Sequence, residues 1–215
     1  KNAADHAGSG GDAGGGSAGT EPDETPEELP AEPEPEPAVP GEPGSGVPAE
    51  GLLAAVGDIM MHMPQLPAYY DKDSKRYDFS PYFTEVKPLL SEADWAMANL
   101  ETTLSAEGDY SGFPRFSSPH ELAAALKDTG FNIVTTANNH SLDRGARGVE
   151  RTLGFLEEQG FVTRGTARSA DEAAELTIVE RNHIRIGLLA YTYGTNGIPV
   201  PEDKPWLVAL IDEER

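Results

Sequence analysis

The sequence of 215 residues contains no cysteine. This absence excludes disulfide bonds, thiolate nucleophiles and zinc sites that use cysteine ligands. It does not by itself identify a cellular compartment. Any metal site in this protein must therefore use carboxylate, imidazole or amide groups.

Long apolar runs and positive charges are also scarce. No run approaches the ~20 apolar residues that a membrane-spanning helix requires. Lysine and arginine number 16 against 37 aspartate and glutamate residues, which gives a formal net charge of −21 at pH 7. Because such a chain is repelled by anionic surfaces, nucleic-acid binding is disfavoured.

Residues 1–50 contain no aromatic side chain and few aliphatic ones. They cannot bury enough apolar surface to offset the entropy lost on ordering. They hold twelve acidic residues and one lysine, and the Glu-Pro alternation of residues 21–43 favours an extended chain. We interpret residues 1–50 as a disordered acidic spacer and residues 51–215 as one domain.

The first residue is lysine, and a long polar segment follows it. This arrangement is typical of the mature part of an exported protein. We therefore expect an extracytoplasmic location, with a membrane tether through an N-terminal anchor that this sequence does not contain.

Strand-like and helix-like segments alternate along the domain, which predicts an α/β fold with a largely parallel sheet and helices packed on it. Apolar runs at residues 52–56, 95–98 and 131–134 are the predicted strands that precede the polar clusters. A helix is expected to open at Ser80-Pro81 and to bury one apolar face. Another is expected from a capping box at Ser118 with Glu121, ending at Gly130.

The second half of the domain continues this alternation. Residues 148–159 predict a helix that Gly160 stops, and Ser169 predicts the N-cap of a short one. Residues 176–180 and 184–191 surround a polar turn and predict a β-hairpin.

Polar side chains follow each of the three predicted strands. Asp58 and His62 follow the first, Asn99 and Glu101 follow the second, and the string 137–143, Ala-Asn-Asn-His-Ser-Leu-Asp, follows the third. In open α/β sheets, ligands bind at the carboxyl ends of the strands. Carboxylate, imidazole and amide oxygen groups held there suit one or two divalent metal ions, with manganese, iron, zinc and magnesium all compatible.

Each of these residues also has a structural alternative. Asp58 could cap the following turn, Glu101 could be a solvated loop acid, and Asn99 and Asn138 could be turn residues in left-handed geometry. Asp143 could be an N-cap or the ion-pair partner of Arg144 or Arg147. Arg115, between Phe113 and Phe116, could bind an anionic substrate group or form a structural ion pair.

The wording and order of these motifs resemble the CapA family of bacterial capsule proteins, which act in poly-γ-glutamate synthesis. The motifs that carry the resemblance are Gly-Asp-Ile-Met at 57–60, Ala-Asn-Leu-Glu-Thr at 98–102, Ala-Asn-Asn-His-Ser-Leu-Asp-Arg-Gly at 137–145, and the segment 184–192. That family is similar in fold to the calcineurin-like metallophosphoesterases, whose layered sheets are flanked by helices and carry a two-metal site. The resemblance therefore implies a layered α/β sandwich.

The resemblance also implies roles for individual residues. Asp58 would ligate a first metal, Glu101 would be a bridging carboxylate, and Asn139 would ligate a second metal. His140 would contact the phosphate or leaving group as the catalytic residue, and His62 would be a further ligand. Asn99, Asn138 and Arg115 are the expected substrate-binding residues.

The family's later segments have no counterpart before Arg215, so we expect an N-terminal portion of the domain with an incomplete ligand set. Three functions stay open at this point. The first is capsule biosynthesis on a γ-linked glutamate polymer, the second is a metal-dependent phosphoesterase, and the third is a non-catalytic accessory subunit of a membrane-bound synthesis complex. The expected partner is an anionic polymer or a phosphate-containing substrate, and enzymatic activity is left open.

Overall fold

A computed structural model describes residues 48–212. The predicted spacer lies outside these residues except for positions 48–50, which are exposed. No helix within residues 48–212 is long and apolar enough to cross a membrane.

A four-stranded parallel sheet organises this region. Its strands, in spatial order, are β1 (Leu53–Ile59), β4 (Trp95–Leu100), β7 (Ile133–Thr135) and β8 (Val162–Arg164). Each neighbouring pair is parallel, so the chain must cross back to the same end of the sheet between strands. The predicted α/β class, with a parallel sheet and flanking helices, is confirmed.

Five α-helices and six short strands connect or follow the sheet strands. The helices are α1 (Gln65–Ala68), α2 (Lys87–Ser91), α3 (Glu121–Thr129), α4 (Gly145–Glu158) and α5 (Ala170–Ala174). The additional strands are β2 (Tyr70–Asp71), β3 (Arg76–Tyr77), β5 (Thr103–Ser105), β6 (Ser117–Pro119), β9 (Thr177–Arg181) and β10 (Ile184–Leu188).

The largest apolar core lies against one face of the sheet. Alternate residues of β4 enter it, namely Ala96, Ala98 and Leu100, because successive side chains of a strand point to opposite faces. Leu122 and Leu126 of α3 belong to the same core. A second cluster joins Leu142 to Val149 and Leu153 of α4 and to Leu207 and Val208. The predicted apolar face of α4 is therefore buried.

The predicted helix at Ser80 is wrong in extent, because the structure has two short helices there. A 3-10 helix covers Ser80–Phe83, and α2 begins only at Lys87. Pro88 has no N–H and is tolerated in the first turn of a helix but not in its interior, which favours a new start. Leu90 is buried, whereas Leu89 is 70% exposed.

The predicted capping box at Ser118 is also wrong. Ser118 belongs to β6, and its hydroxyl pairs with Thr102 Oγ1 at 2.8 Å. The N-cap position of α3 is His120, which makes no side-chain capping bond. The predicted end of this helix is confirmed, since Gly130 has φ 115° in the left-handed region.

The remaining local predictions agree with the structure. The Ser169 hydroxyl accepts the Glu172 N–H at 3.1 Å and caps α5. Strands β9 and β10 form an antiparallel hairpin. Its turn places Asn182 at φ 52° and His183 at φ 63°, the positive values that suit a tight hairpin turn.

Candidate functional site

The three polar clusters meet at the carboxyl edge of the parallel sheet. Asp58 pairs in register with Asn99, and Asn99 pairs with Thr135 of the next strand. Glu101 comes directly after β4, and the turn 137–143 follows β7. Asp58 and Asn99 lie inside β1 and β4 rather than beyond them, because both strands extend past the apolar runs that predicted them.

Asp58 and Glu101 form a carboxylate pair. Asn99 Nδ2 donates to Asp58 Oδ1 at 2.8 Å, and this bond, followed by a hydrogen bond from Glu101, lowers the pKa of Asp58. Burial, the hydrogen bond to Asp58 and the charge of Asp58 raise the pKa of Glu101 to about 7. A hydrogen bond between two carboxyl groups needs one proton, and these opposite pKa directions put that proton on Glu101.

These contacts and the backbone angles exclude three of the structural alternatives. Asp58 accepts a hydrogen bond from a neighbouring strand and does not cap the following turn. The Glu101 side chain is only 13% exposed, so it is not a solvated loop acid. Neither Asn99 nor Asn138 has a positive φ, so the left-handed interpretation is wrong for both.

Asn138 ties the turn after β7 to β4. Its Nδ2 donates to Asn99 Oδ1 at 3.1 Å and to the Leu100 carbonyl at 2.9 Å, while its Oδ1 accepts the His140 N–H at 3.0 Å. Both amide hydrogens are thus engaged within the protein, and the side chain is buried. Asn138 therefore holds His140 close to Glu101, and its predicted contact with substrate stays a prediction, as does that of Asn99.

His140 is fixed by a buried aspartate that the sequence did not single out as a site residue. Its Nδ1 lies 2.7 Å from Asp143 Oδ2, and the same oxygen accepts the Phe116 N–H at 2.6 Å. The Phe116 ring contacts the His140 ring edge-on, with centroids 4.7 Å apart. With Nδ1 directed at Asp143, Nε2 of His140 faces Glu101 Oε1 at 3.9 Å.

The predicted alternatives for Asp143 are wrong. Arg144 donates to Asp143 only at its backbone carbonyl and pairs with the Asp109 carboxylate, while Arg147 pairs with Glu107. The N-cap residue of α4 is Arg144, not Asp143. Asp143 instead belongs to the site. The spacing of His140 and Asp143, three residues apart in one turn, is the sequence feature from which this pair could have been predicted.

A cleft of about 350 Å³ opens beside His140. It is lined by Phe113, Pro114, Arg115, Asn139, His140, Asp143, Asn196 and Ile198. Arg115 is exposed and forms no ion pair with any residue in 48–212, so the structural ion pair considered for it is absent there. Phe113, 80% exposed, gives the cleft an apolar rim. Within residues 48–212 the Arg115 guanidinium group has no ion-pair partner, and its predicted contact with an anionic substrate stays a prediction.

The other two predicted ligands occupy different positions. Asn139 lines the cleft and donates through Nδ2 to Asn196 Oδ1 at 3.3 Å. His62 is exposed, and its ring packs edge-on against Phe116 with centroids 4.9 Å apart. Metal ligation by either residue stays a prediction.

The donor chemistry of this edge fits a divalent cation in kind. Two carboxylates are crowded enough to share a proton, and the adjacent histidine has its second nitrogen anchored by a carboxylate, an arrangement usual around metal sites. In number the histidine and acidic donors fall short, so a metal ion here would also need the Asn139 amide oxygen and water as ligands. Within residues 48–212, no three histidine, aspartate or glutamate side chains are grouped so that they could hold a metal ion.

Residues 52–213 match the family described as bacterial capsule synthesis protein PGA_cap. The chain belongs to this family. Among its relatives, the PGA biosynthesis protein CapA of Bacillus subtilis is 27% identical over 150 residues, 67% of this chain and 38% of that protein. The capsule biosynthesis protein CapA of Bacillus anthracis is 26% identical over 148 residues, 65% of this chain and 34% of that protein.

A third relative is the uncharacterized protein y4sH of Sinorhizobium fredii, which is 31% identical over 146 residues, 64% of this chain and 29% of that protein. The PGA_cap chain thus spans about a third of the length of the curated relatives it matches. The predicted resemblance to the CapA family is confirmed.

Proposed function

We propose that this PGA_cap domain acts in the biosynthesis of an anionic capsule polymer, poly-γ-glutamate, through the site at the carboxyl edge of its sheet. The observation that carries this proposal is the chain of contacts from Asp58 through Glu101 and His140 to Asp143. It combines a proton-bearing carboxyl group, an oriented imidazole and an adjacent cleft, the groups that acid–base cleavage or transfer requires.

Each side chain has a distinct task in this proposal. Asp143 holds the His140 ring with Nδ1 as the donor, so that Nε2 faces the reacting group. Without a metal, Glu101 has a pKa of about 7 and can hold or release a proton near neutral pH, whereas a bound metal would keep it deprotonated. Arg115 at the cleft would bind a carboxylate or phosphate of the substrate.

A divalent metal, one ion or two, would be held by Asp58, Glu101 and Asn139, with His62 as a further ligand. When bound, it would polarise a substrate oxygen and provide a water nucleophile at neutral pH. In its doubly protonated form, with Nδ1–H still bonded to Asp143, His140 would protonate the leaving group from Nε2, which lies beside Glu101. Manganese, iron, zinc and magnesium remain compatible with these donors.

The polymer partner is anionic while the chain carries a net charge of −21, so binding must depend on local cations such as Arg115 or the metal.

We further propose an extracytoplasmic, membrane-tethered location within a polymer-synthesis complex. Cell fractionation with antibody detection tests that location, and recovery of the protein in the soluble cytosolic fraction would contradict it.

The test of the site uses the 215-residue protein and the variants Asp58→Ala and Glu101→Ala. After dialysis against manganese and zinc, elemental analysis should find metal near stoichiometry in the wild type and a loss of at least tenfold in both variants. Asp128→Ala is the matched control, because within residues 48–212 this exposed aspartate pairs only with Lys87 and contacts no residue of the site. Cleavage of poly-γ-glutamate should be lost in parallel with the metal.

The same variants separate the phosphoesterase alternative. Turnover of a simple phosphodiester that disappears in Glu101→Ala, without cleavage of poly-γ-glutamate, would assign phosphoester hydrolysis instead. One observation favours a second candidate, an accessory subunit without catalysis, namely the short supply of metal-binding groups in residues 48–212. For that function, Asp58→Ala and His140→Ala would leave polymer production unchanged in cells.

A further inference from the structure

The loop after β10 brings Asn196 into the site, 56 residues beyond His140. Its Oδ1 accepts the Asn139 Nδ2–H at 3.3 Å, and its Nδ2 lies 3.4 Å from His140 Nδ1. His140 Nδ1 is already paired with Asp143 at 2.7 Å, so the longer approach is a side contact. The bond with Asn139 is therefore the directional interaction of Asn196.

The backbone around Asn196 adopts a conformation that most residues avoid. Asn196 has φ 50° and Gly197 has φ 76°, two consecutive residues in the left-handed region. The Ile198 N–H bonds to the Thr195 carbonyl at 3.0 Å, and the buried Thr195 hydroxyl donates to the Ile198 carbonyl, which closes the turn. Asparagine tolerates this region better than other side chains, but glycine fits it without strain. A backbone role alone would therefore be met at least as well by glycine.

The bond from Asn139 determines how its amide is oriented. An amide side chain has an acceptor oxygen on one side and a donor nitrogen on the other. Because Nδ2 of Asn139 is directed at Asn196, its Oδ1 is turned away, and no residue within 48–212 bonds to that oxygen. Only the oxygen of an amide can ligate a cation.

We propose that Asn196 is a positioning residue that orients the Asn139 amide so that Oδ1 is free for a ligand of the cleft. The proposal rests on the proposed function where that ligand is a divalent cation. It assigns a role to a residue that comes from a different part of the chain than the motifs around it. Loss of the Asn196 oxygen would let the Asn139 amide rotate.

Two substitutions separate the backbone role from the side-chain role. Asn196→Gly accepts the left-handed backbone but removes the acceptor, whereas Asn196→Asp keeps an oxygen where Asn139 donates. Asn182→Gly is the matched control, since Asn182 also has a positive φ, 52°, and lies in the β9–β10 turn. Unchanged circular dichroism and melting of Asn196→Gly would show that the fold is intact.

The first readout uses the protein without metal. The side-chain NH₂ signals of Asn139 are followed by ¹H–¹⁵N NMR, with assignment by comparison with Asn139→Asp. In Asn196→Gly we expect these signals to shift and their exchange with water to become several-fold faster, because the hydrogen bond is lost. Asn196→Asp and Asn182→Gly should retain protected Asn139 signals. Unchanged Asn139 signals in Asn196→Gly would overturn the positioning role.

The second readout is the dissociation constant for Mn²⁺ by equilibrium dialysis. Substitutions of residues that orient a ligand weaken metal binding by roughly 10- to 100-fold, and we expect a loss of this size in Asn196→Gly but not in Asn196→Asp or Asn182→Gly. Equal affinity in Asn196→Gly and the wild type would refute the link to metal. If the wild type bound no Mn²⁺, the proposed metal site would fail, and the NMR result would still decide whether Asn196 positions Asn139.

Discussion

Replacing Asp143 by alanine removes the acceptor that joins the His140 ring to the Phe116 backbone. Asp143 Oδ2 accepts from Phe116 N–H at 2.6 Å and pairs with His140 Nδ1 at 2.7 Å, and the Asp143 side chain is 1% exposed. Water cannot readily replace the carboxylate there without rearrangement. The variant therefore leaves two buried N–H groups without their acceptor.

The size of the effect follows from these contacts. A buried donor without a partner costs about 1–3 kcal/mol, so Asp143→Ala should lower the free energy of unfolding by about 2–6 kcal/mol. Asp143→Asn can keep an oxygen at the position of Oδ2 and loses only the charge on the two hydrogen bonds. Because bonds to charged groups exceed neutral ones by roughly 1 kcal/mol each, this variant should lose about 1–3 kcal/mol.

Urea unfolding followed by circular dichroism measures both losses. Asp128→Ala is the control, since its side chain is 60% exposed and its pair with Lys87 should contribute less than about 1 kcal/mol. The reasoning is refuted if Asp143→Ala stays within about 0.5 kcal/mol of the wild type, as ordinary surface substitutions do. It is also refuted if Asn is as destabilising as Ala.

Three further outcomes follow from single features. The pKa of Glu101 is about 7 in the folded chain against 4.5 in the unfolded chain, so ionisation of Glu101 disfavours the folded state. Between pH 4.5 and pH 8 the metal-free wild type should therefore lose about 1–2 kcal/mol of unfolding free energy relative to Glu101→Gln, because solvent screening reduces the effect of the full pKa difference. Parallel pH profiles of the two proteins in urea unfolding would contradict this. Gly165→Ala should lose more than about 2 kcal/mol, because Gly165 has φ 123° and a Cβ there would lie 2.4 Å from the Ala137 nitrogen, and a melting temperature equal to wild type would disprove the clash. Ser169→Ala should lose about 1 kcal/mol, since the Glu172 N–H loses its cap, and thermal melting without a measurable shift would argue that the cap contributes nothing.

Strands β4 and β7 could be predicted because they are mostly buried, so their residues are largely apolar. Residues 95–98 and 131–134 read as strands from composition, and the polar residues after them fall at one edge because parallel strands end together. The end of β1 could not be predicted in the same way. Gly57-Asp58 has the local character of a turn, yet pairing with β4 extends the strand through Ile59 with a shift in register.

Strands β5 and β6 left no such signal. Their residues are mostly serine and threonine, whose side chains bond to neighbouring side chains or to the backbone. Ser118 pairs with Thr102, just before β5, and Thr103 Oγ1 donates to the Phe116 carbonyl. Ser118 with Glu121 carries the local pattern of a capping box. Pairing with β5 competes with that pattern and prevails, because it also satisfies buried backbone groups.

The roles of adjacent, chemically identical residues depend on partners that are far away in sequence. Asn138 and Asn139 differ in the structure because Asn138 meets Asn99 and Leu100 of β4, whereas Asn139 meets Asn196. Neither partner can be read from the string 137–143, which explains why residue type identified the site but left the roles open. Besides the Asp58 carboxylate, the contacts leave three groups for a ligand among the described residues of this edge, namely the Glu101 carboxyl group, His140 Nε2 and Asn139 Oδ1. A substitution at Asn138 should therefore act through the orientation of His140, while one at Asn139 removes a group that a ligand can touch directly.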